Sequence, residues 1–192
     1  MLEEEYQPRR KLPPHLKPQP PAEVPFEYVV RQAVLEDLPH VREIYNHYVM
    51  NSTVTFDEVP MTLAAMRKKW STVQALGFPF IVAENPTGQI LGYAYVYPWK
   101  EKAAYRYTVE NSIYLGPAAT GKGLGRELLS ELISRSKAAG IREIIAVIAD
   151  KGAEASIGMH EKFGFTEIGR MGKVGFKFDR WLGTVLLQKS LK

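Results

Sequence analysis

Short β-rich segments alternate with longer amphipathic segments along most of the chain. Runs of β-branched and other apolar residues predict strands at 26–33, 80–84, 89–97, 107–115, 144–149 and 181–187. Apolar residues spaced three and four apart predict helices at 36–50, 62–72, 123–139 and 153–163. This order predicts an α/β protein with one mixed sheet, in which residues 107–139 form a central strand–loop–helix unit.

Turn and capping residues mark several boundaries between these elements. Residues 85–88, Asn-Pro-Thr-Gly, form a strong turn signal and predict a hairpin between the strands on either side. Thr62 is placed to cap the helix that it begins, and Gly140 is placed to end the helix before it. These signals support the assignment of separate strands and helices.

The distribution of proline separates a tail from a folded domain. Seven of the 13 prolines lie within residues 1–25. Proline lacks a backbone donor and this stretch has few apolar residues for packing, so we expect 1–25 to be an extended, disordered tail. A polyproline ligand for a partner protein is the alternative. Residues 26–192 are long enough for a single domain.

Composition narrows the classes of function. The chain is 45% hydrophobic and 24% charged, as in soluble globular proteins, and its net charge of +4 does not by itself indicate nucleic acid. The absence of cysteine excludes disulfides, a cysteine nucleophile and thiolate metal sites, and we expect no metal. Apolar runs are too short to span a bilayer, and Glu3, Glu4 and Glu5 are unlike a targeting peptide. We therefore predict a cytoplasmic protein without a membrane partner.

The segment between the predicted central strand and its helix is rich in glycine. Glycines stand at positions 116, 121, 123 and 125, with Lys122 and Arg126 among them. Glycines allow backbone N–H groups to approach an anion, and the helix N-terminus adds partial positive charge. The loop therefore predicts a phosphate site, although a tight strand-to-helix turn would need only one of these glycines.

The spacing of these glycines leaves two nucleotide-binding interpretations to weigh. Gly116, Gly121 and Lys122 match a P-loop, but Gly123 stands where Ser or Thr would bind magnesium. Asp150 could supply a second magnesium ligand, so a nucleotide phosphoryl-transfer enzyme stays an alternative. The Gly-x-Gly-x-x-Gly spacing of dinucleotide-binding loops is not present.

Residues Thr120 to Gly125 resemble the pyrophosphate loop of GCN5-related N-acetyltransferases (GNAT), Gln/Arg-x-x-Gly-x-Gly/Ala, with Thr120 in place of Gln or Arg. Within that superfamily, residues 29–188 resemble the phosphinothricin acetyltransferase group. The matching segments include Thr108-Val109-Glu110, Pro98-Trp99-Lys100, His160-Glu161 and Arg180-Trp181-Leu182. The resemblance implies the GNAT acyl-CoA N-acyltransferase fold, in which the central βα unit carries the pyrophosphate loop.

The same resemblance implies a reaction. Acetyl-CoA would donate an acetyl group to the amine of a small amino acid-like substrate, such as phosphinothricin, methionine sulfoximine or methionine sulfone. Direct attack by the amine is expected, because the chain has no cysteine and no serine in a nucleophile-elbow context. A homodimer is implied as well. The departures at Thr120 and Ala153 leave a non-catalytic acyl-CoA sensor as a second alternative.

The cofactor would be bound mainly by backbone groups. The resemblance implies binding by residues Ile113, Tyr114, Leu115, Thr120, Gly121, Lys122, Gly123, Leu124, Gly125, Arg126, Ala153 and Ser156. Ala153 stands where the family usually has Asn, which removes a hydrogen bond to the pantetheine arm worth roughly 1 kcal/mol. Either coenzyme binding is weaker for this reason, or Ser156 and Glu154 compensate for it.

Two residues are candidates for proton transfer. Glu110 lies on the strand that leads to the glycine loop, among apolar neighbours that predict a cleft, and the resemblance implies that it is the general base. A carboxylate paired with a nearby Lys or Arg is the alternative. His160 would protonate the leaving thiolate. A histidine that only packs on its short helix is equally compatible with the sequence.

A basic and aromatic loop precedes the catalytic strand. The resemblance implies that Lys100, Lys102 and Tyr105 bind the acidic groups of the substrate, and that Phe56 and Glu110 complete the pocket. Lys102 stands where Arg is usual and offers a point charge instead of a fork, which weakens the expectation for phosphinothricin itself. A solvated loop and a core phenylalanine are the alternatives. The resemblance also implies that Lys177, Arg180 and Trp181 close the pocket, either of the same subunit or of a second one.

Overall fold

A computed structural model describes residues 26–192, which form a seven-stranded sheet and four α-helices. The predicted tail, 1–25, lies outside the described residues. The strand order is β1-β2-β3-β4-β5-β7-β6. The elements are β1 Val29–Gln32, α1 Leu38–Asn51, α2 Leu63–Ala75, β2 Phe80–Glu84, β3 Ile90–Pro98, β4 Thr108–Leu115, α3 Leu124–Ala138, β5 Glu143–Ala149, α4 Glu154–Lys162, β6 Thr166–Lys177 and β7 Arg180–Ser190.

Strand β4 is the middle strand of the sheet. Its pairing with β5 is parallel and every other strand pair is antiparallel. A parallel pair needs a crossover connection, which here contains α3. The predicted mixed sheet and its central strand–loop–helix unit are confirmed.

Strands β4 and β5 separate before either one ends. Their last residue pair is Glu110↔Ile145, whereas β4 continues to Leu115 and β5 to Ala149. Strand β4 stays paired with β3 as far as Leu115. The edge of β4 that faces β5 is therefore unpaired beyond Glu110, and a gap opens at the carboxyl ends of the two strands.

Apolar side chains cover both faces of the sheet. On one face, α3 buries Leu124, Leu128, Leu129 and Leu132 completely, which confirms its amphipathic pattern. On the other face, α1 and α2 pack over a stack of aromatic rings formed by Phe80, Tyr93 and Tyr95. The sheet and its central gap are thus held between two hydrophobic cores.

The predicted caps and turns are present. The Thr62 hydroxyl accepts a hydrogen bond from the Ala65 N–H at the start of α2. Gly140 has a φ of +81° directly after α3, and its N–H donates to the Lys137 carbonyl. Strands β2 and β3 pair as the predicted hairpin. None of the helices in 26–192 is both long and apolar enough to cross a membrane.

Strand β6 was not predicted. It lies at the edge of the sheet, pairs only with β7, and has side chains that are mostly exposed. Strands are recognised by the alternation of apolar and polar residues. In β6 this alternation is interrupted by two shifts in register and by glycines at 169, 172 and 175. The sequence pattern therefore contained little signal for this strand.

Candidate active site

A cleft of about 1110 Å³ opens where β4 and β5 separate. The glycine loop follows the carboxyl end of β4, Glu110 lies nearer the start of that strand, and α4 and the loop 54–57 also line the cleft. The predicted site residues that line it are Phe56, Glu110, Ile113, Tyr114, Leu115, Thr120, Gly121, Gly123, Gly125, Arg126, Ala153, Ser156 and His160. Most of the predicted catalytic and cofactor-binding residues thus meet in one cavity.

The glycine loop leaves the N-terminus of α3 open. Gly121 and Gly123 have φ values of +74° and +82°, and a Cβ added to either would meet nothing within 4 Å. Gly123 is the N-cap of α3 and no side chain caps this end. The first N–H groups of a helix have no partner within it, so they are left to bind an anion. This open cradle fits the diphosphate of a coenzyme.

The side chains of the loop differ in their positions. Arg126 lines the cleft, whereas the Lys122 ammonium lies 4.7 Å from the centre of the Phe26 ring, outside the lining. Leu124 is fully buried in the core, so only its backbone can contribute to the cleft. The Thr120 hydroxyl donates to the Pro117 carbonyl at 3.0 Å and fixes the start of the loop.

The backbone N–H groups of successive residues in β4 point alternately towards β5 and towards β3. The Tyr107 carbonyl accepts from the Glu143 N–H on the β5 side, and the Thr108 carbonyl accepts from the Trp99 N–H on the β3 side. The N–H groups of Ile113 and Leu115 therefore face the gap, and that of Tyr114 faces β3. The gap thus offers donors to a carbonyl oxygen placed between the strands.

Glu110 lies at the last residue pair before the gap. Burial raises the pKa of its carboxyl, while the positive charges of Lys69 and Lys100 lower it. A general base works best when its pKa is moved towards the working pH. Burial thus moves the pKa of Glu110 in the direction that a general base requires, and Glu110 lines the cleft.

His160 is 3% exposed and is bound at both ring nitrogens. Nδ1 lies 2.8 Å from the Ser156 carbonyl oxygen, which can only accept, so Nδ1 carries the proton. Nε2 lies 2.9 Å from Nδ2 of Asn111. Burial lowers the pKa of His160, and the Ser156 carbonyl opposes this shift. The histidine is therefore a neutral imidazole that accepts a hydrogen bond at Nε2.

The substrate end of the cleft contains residues that the sequence analysis missed. Lys69 of α2 lines the cleft, and its ammonium lies 3.2 Å from the Tyr95 hydroxyl. The Tyr45 hydroxyl donates to the carboxylate of Asp57, next to Phe56. In sequence, Tyr45 and Lys69 look like ordinary positions of amphipathic helices, so no local signal marks them.

The basic loop before β4 lies outside the cleft lining. Lys100, Lys102 and Tyr105 are exposed, and the Lys100 ammonium lies 4.6 Å from the centre of the Trp99 ring. Lys100 still affects the pKa of Glu110 through its charge. The structure does not bring Lys102 and Tyr105 into contact with the cavity.

The other predicted residues are placed as follows. Ala153 and Ser156 lie at the start of α4, where the Ser156 N–H donates to the Ala153 carbonyl at 2.9 Å. Lys177 is buried beneath the loop 52–57, whereas Arg180 and Trp181 are exposed. Within 26–192 there is no group of three or more His, Asp or Glu side chains arranged to hold a metal.

Comparisons with known proteins agree with this geometry. A family model described as an acetyltransferase (GNAT) domain matches residues 30–186. A phosphinothricin N-acetyltransferase from Alcaligenes faecalis is 44% identical over 156 residues, which are 81% of this chain and 79% of that protein. An L-methionine sulfoximine/L-methionine sulfone acetyltransferase from Pseudomonas aeruginosa is 40% identical over 162 residues, 84% of this chain and 94% of that protein.

A solved structure is similar over most of its length. It is a GNAT superfamily phosphinothricin acetyltransferase from Sinorhizobium meliloti in complex with AcCoA. Its TM-score with this chain is 0.81 and its identity is 44%, over 85% of this chain and 88% of that chain.

Proposed function

This chain belongs to the GNAT acetyltransferase family and is an acetyl-CoA-dependent N-acetyltransferase; on that basis we propose that it acetylates the amine of a small amino acid of the phosphinothricin, methionine sulfoximine or methionine sulfone type. The observation that carries the proposal is a single cleft lined by both an open glycine loop and a buried carboxylate. Membership of the GNAT family argues against a nucleotide phosphoryl-transfer enzyme. In an enzyme of that family the glycine loop binds the diphosphate of coenzyme A and not a nucleotide triphosphate.

Backbone groups bind the coenzyme in this proposal. The amides between Thr120 and Arg126 hold the diphosphate, and the unpaired amides of β4 beyond Glu110 orient the acetyl carbonyl. Ala153 and Ser156 line the wall along which the pantetheine arm would lie. When bound, acetyl-CoA supplies the activated acetyl group as a thioester.

Glu110 and His160 move the protons. Glu110 accepts a proton from the substrate ammonium, which makes the amine nucleophilic, and a positioned base of this kind contributes about 10²–10⁴ in rate. In the free chain the proton of His160 lies on Nδ1, so Nε2 must first take up the proton that the attacking amine loses and give up its contact with Asn111. His160 then passes that proton to the departing thiolate.

The pocket for the amine lies between Phe56 and Glu110. Phe56 forms an apolar wall, Asp57 and Glu110 offer carboxylates to the ammonium of the substrate, and the Lys69 ammonium offers a positive charge to its acidic group. Binding of an acidic group by Lys100, Lys102 and Tyr105 requires their loop to move towards the cleft, because they do not line it in the free chain.

Two measurements test this function. We expect calorimetry to show acetyl-CoA binding, and a free-thiol assay over a panel of amino acids to show release of coenzyme A with the sulfoximine and sulfone of methionine. Binding of acetyl-CoA without thiol release on any amine would favour the sensor alternative. Binding of ATP with magnesium, without binding of acetyl-CoA, would favour the phosphoryl-transfer alternative.

We also propose a homodimer built on the β6–β7 hairpin. This hairpin exposes an unusual number of large apolar side chains, namely Ile168, Met171, Val174, Phe176, Phe178 and Trp181. The rings of Phe176 and Trp181 contact each other edge-to-face, with centres 5.4 Å apart. Several large exposed apolar side chains on one hairpin are what a protein–protein interface would cover.

A further inference from the structure

Lys177 lies at the end of β6 and turns its side chain inwards. It is 2% exposed, and its ammonium donates to the carbonyls of Ser52 and Thr55, each at 2.8 Å. Burial lowers the pKa of Lys177, and the carboxylates of Asp57 and Glu58 oppose this shift. Burial of an ammonium group is unfavourable unless polar groups form hydrogen bonds with it. Here two backbone carbonyls of one loop accept these hydrogen bonds.

Gly175 contacts the same loop at a second point. A Cβ added at Gly175 would lie 2.6 Å from two ring carbons of Phe56, so the ring packs directly on the glycine backbone. Phe176, between these two positions, is half-exposed on the other side of the strand. Residues 175 and 177 therefore present one face of β6 to the loop 52–57.

The turn after β6 fixes the position of Lys177. Lys177 pairs with Arg180, so only Phe178 and Asp179 form the turn, and both have positive φ, 50° and 56°. Two residues with positive φ are the signature of a tight type I′ hairpin turn, whose twist matches that of the strands. The lysine thus projects from a rigid support.

The loop that Lys177 holds forms one wall of the cleft. Val54, Thr55, Phe56 and Asp57 line it. Thr55 and Asp57 both hydrogen-bond to the Tyr45 hydroxyl, so the backbone position of the loop also sets the placement of these side chains. A shift of the loop would change the space that an amine can occupy beside Glu110.

We propose that Lys177 is a positioning residue for the amine pocket: its ammonium pins the carbonyls of Ser52 and Thr55 and thereby places Phe56 and Asp57 against the substrate. This inference rests on the proposed function. According to this inference, the shape of the pocket depends on a residue that lies more than 120 positions after the loop 52–57 in the sequence. Both hydrogen bonds of the Lys177 ammonium go to the loop 52–57 and neither goes to the glycine loop, so we expect its loss to affect the amine pocket more than the coenzyme site.

The test compares Lys177→Met with Lys173→Met, an exposed lysine on the same strand. Methionine keeps most of the length of the side chain but removes both hydrogen bonds. We expect Lys177→Met to raise KM for the amine about tenfold, with a smaller change in kcat, because bonds from a charged donor are among the stronger ones in proteins. The Kd of acetyl-CoA, measured by calorimetry, and all constants of Lys173→Met should stay within about twofold of wild type.

A second readout does not depend on activity. Amide hydrogen exchange of residues 52–57 should be faster in Lys177→Met than in wild type or Lys173→Met. An unchanged amine KM together with unchanged exchange would overturn the inference, as would an equal loss of acetyl-CoA affinity. If Lys177→Met does not fold, Gly175→Ala tests whether the placement of Phe56 matters to the amine, because it displaces Phe56 while the ammonium stays in place. We expect a raised amine KM, and an unchanged KM would overturn the inference. Wild type without thiol release on any amine would refute the proposed function and leave the exchange experiment to test the contact itself.

Discussion

At the scale of single residues, the surroundings of Glu110 shift its pKa in opposite directions. Burial favours the protonated carboxyl, and the nearby ammonium groups favour the carboxylate. Lys69 lines the same cleft, and its ammonium donates a hydrogen bond to the Tyr95 hydroxyl. The charge of Glu110 therefore depends on a residue from a helix distant in sequence.

Lys69→Met should move the pH profile of the reaction. In the proposed mechanism Glu110 acts as a carboxylate, so activity is present above its pKa and is lost as the pH falls through it. Removal of the positive charge raises the pKa of Glu110, and the acidic limb of kcat/KM should shift to higher pH. Lys68→Met, an exposed neighbour on α2, should leave the limb in place. An unshifted limb in Lys69→Met would contradict this account.

Asn111 should control the protonation of His160. In the wild type at pH 7, nitrogen NMR should show a proton on Nδ1 and none on Nε2, since Nε2 accepts from Asn111. Asn111→Asp keeps the shape but replaces the donor by a carboxylate, which favours a proton on Nε2. The pKa of His160, which burial lowers in the wild type, should then rise. A proton on Nε2 of the wild type at pH 7 would refute the assignment.

At the scale of elements, the N-terminus of α3 depends on glycines with positive φ. Gly123→Ala should destabilise the fold by about 1 kcal/mol in urea denaturation, because a Cβ strains this conformation. It should also weaken acetyl-CoA binding measured by calorimetry, since the cradle is distorted. Gly140→Ala introduces the same strain at the other end of α3, where φ is +81°. It should cost similar stability and leave coenzyme affinity unchanged; equal affinity in both variants would show that the loop does not bind the coenzyme.

Local patterns made several elements predictable. Strand β2 and helix α3 repeat their apolar spacing over successive residues, so their assignments were close to the structure. The contacts of Lys69, Asn111 and Lys177 were not predictable, because their partners come from other elements and the sequence alone does not show which side chains meet. The glycine loop could be recognised because its function resides in consecutive backbone groups.

At the scale of the whole molecule, the β6–β7 hairpin carries the predicted dimer contact. Trp181→Glu places a charge among exposed apolar residues and should raise the dimer dissociation constant about tenfold or more, measured by light scattering during size exclusion. Val59→Glu, a change at an exposed apolar residue outside the hairpin, is the control and should leave assembly unchanged. A wild type that is monomeric at all concentrations would contradict the proposal.

Cytoplasmic localisation and the disordered tail stay predictions of the sequence.

The short ladder between β4 and β5 has a mechanical consequence for the molecule. The sheet consists of two antiparallel blocks, β1–β4 and β5–β7, that share three residue pairs from Thr108↔Glu143 to Glu110↔Ile145. A molecule bound between the diverging strands contacts both blocks and bridges the shortest run of paired residues in the sheet. Binding of the coenzyme should therefore raise the melting temperature. It should also make the two blocks unfold together in one cooperative transition.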